Sequence, residues 1–135
     1  MLLDFCKIFQ FNHINMILAV KKTELVTVNP PSVKKGPALL EEFIFHCSVL
    51  VENQVYVIGG FGPAQTKVLM IDTTTSAMSY KSQIRNGRYA HSCARITGPY
   101  GANQILVAGG FNGYNYLKST EIFSIDDNSW KPGTY

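Results

Sequence analysis

The sequence predicts an all-β protein in which one strand-rich unit is written twice. Three observations carry this. The run Val55-Tyr56-Val57-Ile58-Gly59-Gly60-Phe61 returns fifty positions later as Ile105-Leu106-Val107-Ala108-Gly109-Gly110-Phe111. His46 returns as His91 after 45 positions, and the pair Ile71 and Met78 returns as Phe123 and Trp130 after 52. Around these blocks, β-branched and aromatic runs of four to seven residues are separated by Gly, Pro, Asn and Asp clusters. No amphipathic helical pattern longer than two turns follows residue 43.

Taken in chain order, the first twenty residues look superficially like a targeting segment. Asp4, Lys7, Gln10, Asn12, His13 and Asn15 interrupt them, and Met16 to Val20 is shorter than a signal-peptide core or a membrane span. Glu24-Leu25-Val26-Thr27-Val28-Asn29 alternates like a strand, and Pro30-Pro31 is expected to end it. It reads as the last strand of an earlier, degenerate unit. Residues 1–42 are therefore an N-terminal extension, 43–84 a first repeat and 85–135 a second. The spacing drifts because the second copy carries extra residues around TGPYGAN and NGYNY, both loop-like; insertions confined to loops are what a structural repeat produces.

The chain has 135 residues, room for one modest domain. Hydrophobic residues at 46% and charged residues at 16% exclude a disordered chain. The net charge of +3 is spread over scattered pairs such as Lys21-Lys22 and Lys34-Lys35, which argues against nucleic-acid binding. Three cysteines without a CxxC spacing favour a reducing, cytoplasmic setting over a disulfide scaffold, and the lack of an Asn-x-Ser/Thr acceptor leans away from secretion.

The glycine doublets, with Ile71 or Phe123 set seven positions before Met78 or Trp130, resemble the kelch repeats over roughly residues 43 to 135. The resemblance implies four-stranded blades of a β-propeller, here about two of them. Two departures stand out: the acid expected after the aromatic is present as Asp72 but replaced by Ser124, and Met78 stands where tryptophan is expected. Gly59, Gly60, Gly109 and Gly110 would let neighbouring backbone approach or take positive φ as the chain leaves a strand. Trp130, with Phe123, would wedge between adjacent blades. The chain stops soon after Trp130, where one more strand is expected, so the second repeat reads as incomplete at its C-terminus. At about 50 residues per blade, a ring of four blades needs roughly 200 residues. The chain therefore reads as a fragment, or as a short β-protein that self-associates through open edges.

Chemistry is scarce. His46-Cys47 and His91-Ser92-Cys93 occupy matching places, but strand alternation puts Cys93 on the face of His91 and Cys47 opposite His46. The cysteines would then point apart, which argues against both a metal site and a Cys47–Cys93 disulfide. No nucleotide-binding loop, nucleophile elbow or HExxH pair occurs, and no His/Tyr/Cys set of the kind a copper oxidase needs stands out. Neither metal, cofactor nor catalysis is expected. The rival reading is a fragment of a propeller enzyme of the galactose oxidase type, or of a secreted kelch protein.

Surface recognition remains. In kelch propellers, the resemblance implies, partners sit on loops between blades and on loops after the doublet. Here these carry Arg85, Asn86, Arg88 and Tyr89, and then Asn112, Tyr114, Asn115 and Tyr116. Arginine forks onto carboxylates and tyrosine gives rigid contact area, so a protein or peptide partner with acidic groups is expected, with no membrane contact. Kelch propellers also serve as substrate receptors of cullin ubiquitin ligases and as actin-associated proteins. No BTB or BACK region can be read in residues 1 to 43.

Overall fold

A computed structural model describes residues 7–11, 14–19, 22–28, 31–99 and 102–133. Asn29 and Pro30, part of the predicted N-terminal strand and its end, lie outside the described residues.

Among the described residues, twelve strands form three antiparallel sheets of four, each in simple up-and-down order. The first holds β1 (Lys7–Phe11), β2 (Ile14–Ala19), β3 (Lys22–Val28) and β4 (Pro31–Lys35). The second holds β5 (Cys47–Val51), β6 (Gln54–Ile58), β7 (Val68–Asp72) and β8 (Met78–Tyr80). The third holds β9 (Ser92–Thr97), β10 (Asn103–Ala108), β11 (Thr120–Ser124) and β12 (Ser129–Pro132). A 3-10 turn, Gly62–Ala64, lies between β6 and β7.

The second and third sheets are the expected pair of blades, and the pairing explains the seven-residue spacing. Ile71 is directly opposite Met78 across β7 and β8, and Phe123 is opposite Trp130 across β11 and β12. Trp130 thus belongs to the fourth strand itself. This corrects the expectation of an incomplete second repeat: the 129–132 segment is the strand thought to be missing. The segment expected to be the last strand of a degenerate unit is likewise β3, the third of four. β3 ends at Val28, just before Pro30-Pro31 as expected, and Pro31 then opens β4, where its missing N–H falls at the start of an edge strand.

Alternation decides how the blades stack. Cys47, Val49, Val51, Tyr56, Ile58 and Val68 project from one face of the second sheet onto Ile105, Val107, Phe123 and Trp130 of the third, forming a shared core. The opposite face of the second sheet, with Val55, Val57, Leu69 and Ile71, packs on Leu39 and Phe43. Val55 and Ile105 are the same repeat position fifty residues apart, so the face that blade two turns towards blade one is the face that blade one turns away.

That offset overturns the expectation for the cysteines. Cys47 lies opposite Ile58, and Cys93 lies opposite Val107, so they occupy alternate faces of their sheets, as expected. Stacked sheets meet by unlike faces, however, so side chains on alternate faces of neighbouring blades converge. Sγ of Cys47 and Sγ of Cys93 are bonded at 2.07 Å, joining the edge strands β5 and β9. The wrong step was to take equivalent positions as the ones that meet.

Candidate functional site: the doublet-loop face

Antiparallel pairing sends the starts of β5, β7, β9 and β11 and the ends of β6, β8, β10 and β12 to one end of the sheets. Both glycine doublets, the linkers 36–46 and 81–91, and the loops 61–67 and 111–119 therefore share one face. The loops expected to recognise partners are brought together there.

The doublets hold this face shut against the sheets. Gly59 has φ 64°, and a Cβ there would lie 2.5 Å from the Arg88 carbonyl oxygen and 2.7 Å from the His91 ring. At Gly110, φ 92°, a Cβ would lie 2.7 Å from the Tyr89 carbonyl oxygen. Only glycine tolerates such approach and such φ. The released backbone then pairs with the linkers: Gly60 donates to Arg88 O, Phe61 to Ile44 O, and Tyr89 and Phe111 exchange both hydrogen bonds.

Arg88 is not available to a partner, which corrects its assignment as a contact residue. Its side chain is fully buried. Nη2 donates to Glu121 Oε1 at 2.9 Å, Nη1 to the carbonyls of Gly109 and Ser119, and Nε to Asn86 O. Glu121, also buried, accepts from the backbone N–H groups of Arg85 and Asn86. The pair fixes the linker to β11. In the first repeat the equivalent positions, 45 and 52 residues earlier, are Phe43 and Leu69, an apolar solution to the same join. Trp130 adds a second tie, its indole N–H donating to Ser82 O at 2.8 Å while its ring packs on Phe123.

The other predicted contact residues reach solvent. Arg85 and Asn86 border an open cleft of about 540 Å³ with Lys118, Thr120, Glu121 and Gly133. A smaller cleft of about 300 Å³, lined by Lys67, Val68, Tyr80, Lys81 and Gln83, lies at the matching place in the first repeat. The two differ in how the cation beside β7 or β11 is met. In the first, Lys67 is neutralised by Glu41 at 2.7 Å, and Tyr80 also donates to Glu41. Burial raises the Glu41 pKa, but the hydrogen bonds from Lys67 and Tyr80 and the Lys67 charge outweigh it, leaving the carboxyl below its usual range. Partial burial and then the bond to Glu41 push Tyr80 up to about 12. In the second cleft, Arg85 and Lys118 are exposed and make no salt bridge among the described residues.

Asn112, Tyr114, Asn115 and Tyr116 form a tight turn. Asn112 Oδ1 accepts from the N–H groups of Tyr114 and Asn115, and Phe111 bridges Tyr116. Both tyrosines stand out into solvent, 88% and 86% exposed. Sequence reasoning missed Phe45, Phe61, Phe111 and Lys118 as members of this face. Phe61 and Phe111 had a usable signal, each directly following a doublet.

Comparison with known proteins agrees with this geometry. Residues 92–134, the whole of the third sheet, match the model of the Kelch motif. This segment is a kelch repeat. Two Caenorhabditis elegans proteins are similar over 64% of the chain: Kelch repeat-containing protein kel-10, 27% identical over 88 residues, and Kelch repeat and BTB domain-containing protein F47D12.7, 29% identical over 89 residues. The chain spans about 15% of the length of each. The second sheet has the same four-stranded order as the matched third sheet and stacks on it. Kelch repeats generally mediate protein interactions. No helix among the described residues is long and apolar enough to cross a membrane, and no group of three or more His, Cys, Asp or Glu side chains converges there.

Proposed function

We propose that the chain is a non-catalytic part of a kelch protein-interaction module that receives an acidic segment of a protein partner on its doublet-loop face. The observation that carries this reading is the contrast between the two equivalent clefts. In one, Lys67 is met by Glu41; in the other the lining carboxylate, Glu121, is taken up by buried Arg88 and by backbone N–H groups, so the Arg85 and Lys118 charges make no salt bridge among the described residues. A carboxylate from a partner in the second cleft would play the part that Glu41 plays in the first, and charged hydrogen bonds of this kind contribute about 1.5–3 kcal/mol each.

The BTB domain in the printed name of one relative supports a finer reading, that the intact protein is the substrate-recognition part of a cullin ubiquitin-ligase adaptor. An actin-associated role is the neighbouring form of the same interaction reading. A cytoplasmic location belongs to this proposal too, and the Cys47–Cys93 pair offers its check, since disulfides persist in oxidising compartments. Alkylation in intact cells should cap both thiols if the compartment is reducing.

The experiment for the main reading is affinity capture of partners with the full-length protein, followed by titration of the captured partner. Arg85→Ala with Lys118→Ala should weaken binding roughly tenfold or more, equivalent to 1.4 kcal/mol, without lowering the unfolding midpoint. Unchanged affinity would remove this face from the function.

A further inference from the structure

The doublet-loop face carries a row of aromatic rings in contact with one another. Phe61 stands edge-on to Tyr89 at 5.2 Å between centroids and 89° between planes. Tyr89 stands edge-on to Phe111 at 5.6 Å and 82°, Phe111 meets Tyr116 at 5.0 Å, and Phe45 flanks Tyr89 at 6.5 Å. Phe45, Phe61 and Tyr116 are large apolar side chains left exposed, at 42%, 53% and 86%. Neighbouring exposed aromatics of this kind mark interaction surfaces rather than packing.

Backbone bonding fixes the row. Tyr89 and Phe111 are paired through both N–H groups, Phe61 is bonded to Ile44, and Leu117 donates to Gly110 O beyond the Tyr116 bridge. A backbone held this way needs no ordering on binding, which removes one cost of association. Edge-to-face neighbours leave notches between rings that accept a compact, puckered apolar ring better than a flat one. The row is uncharged along its length, and it ends on the face where the Arg85 and Lys118 cleft opens.

We infer that the row Phe61–Tyr89–Phe111–Tyr116 is a docking strip for an extended, proline-rich peptide whose acidic flank enters the Arg85 and Lys118 cleft. Polyproline II chain rises about 3.1 Å per residue, so roughly five residues span the row. Such a chain has unbonded carbonyls, and the tyrosine hydroxyls supply donors to them. Aromatic-lined surfaces select this conformation because its ordering cost is already small. The inference rests on the acidic-partner reading for the flank and adds the apolar half of the ligand.

The test is to pan a random dodecapeptide phage library on the purified chain and measure the enriched peptides by fluorescence anisotropy. Comparison proteins are Phe61→Ala with Tyr116→Ala, and Arg85→Ala with Lys118→Ala. Both aromatic side chains are exposed, so an unchanged unfolding midpoint will show that the first variant folds. Enriched peptides containing proline runs beside acidic residues, bound at least tenfold more weakly by the aromatic variant, are the expected result. Acidic peptides without proline, indifferent to the aromatic variant but lost with the cation variant, would overturn the docking strip and leave the acidic-partner reading standing. Failure to enrich any peptide would also overturn the strip, while the capture experiment above decides the other reading separately.

Discussion

Removing one member of the Arg88–Glu121 pair should be the most damaging single change on the doublet-loop face. The Arg88 side chain is 0% exposed and that of Glu121 3%, and their charged atoms are 2.9 Å apart. Truncating either leaves the other charge buried without its partner, which costs about 3–5 kcal/mol. Glu121→Ala also strips acceptors from the N–H groups of Arg85 and Asn86, so it belongs at the upper end of that range. Glu121→Gln keeps one amide oxygen there and should cost less. Decisive is the double variant Arg88→Phe with Glu121→Leu, which copies Phe43 and Leu69 from the equivalent place in the first repeat. Additive losses would total roughly 6–10 kcal/mol. Because replacing a whole buried pair by apolar groups is often neutral, the expected loss is only about 2–4 kcal/mol, from the Gly109 and Ser119 carbonyls left without their donor and the Arg85 and Asn86 N–H groups left without their acceptor. Urea unfolding followed by far-UV circular dichroism measures these three variants and the single Arg88→Ala. A Glu121→Ala protein within 1 kcal/mol of the parent, or a double variant as weak as the summed singles, would refute the reasoning.

Trp130→Ala should destabilise by about 3–5 kcal/mol, read from the same unfolding curves, because it empties the join between Phe123 and the Ser82 carbonyl. Replacing Cys47 and Cys93 by serine opens a crosslink spanning 46 residues, and chain entropy puts the loss near 4 kcal/mol; thermal unfolding with and without reductant checks it. Ala90 holds φ 52°, so Ala90→Gly should raise the unfolding midpoint, by about 1 kcal/mol at most. Glu41 is held below its unfolded pKa of 4.5, so its contribution is present above that pH and fades as pH falls through the lowered value. Its pair is partly solvated, so Glu41→Gln should flatten the acid limb of stability against pH by under about 1 kcal/mol. Tyr80 is raised, so its contribution is present below pH 10 and is lost towards 12; absorbance titration at alkaline pH should show late-titrating tyrosines, Tyr80 with the buried Tyr56, and Tyr80→Phe should remove only the first of these.

The blades were legible because their signals are local. A doublet following an apolar run and a pair of large residues facing each other across a hairpin both fall within a few residues in sequence. Arg88 was misread for the opposite reason. Its composition is that of a solvated loop, and the carboxylate that permits its burial lies 33 residues away. The disulfide needed knowledge of which faces meet between sheets, a fact of stacking that strand alternation within one sheet does not contain. The first sheet was hidden because Lys7, Gln10, Asn15 and Lys22 break its apolar runs, and pairing of β1 with β2 and of β2 with β3 is set by register rather than composition. Of the site, the tyrosines at 114 and 116 and the arginine at 85 were readable as exposed loop residues. Lys118 and Phe45 gave no comparable sign.

The unlike-face contact between the two blades also determines what kind of assembly such sheets make. The surface that blade two presents to blade one differs from the surface blade one offers in return, so the joint has a direction, as in a stack of cups. Two copies of the chain meeting through this joint would be related head to tail, and no two-fold axis could run through the contact. Each added blade leaves a surface of the same kind as the one just covered. Growth by this rule ends only when the accumulated rotation brings the last surface round to the first.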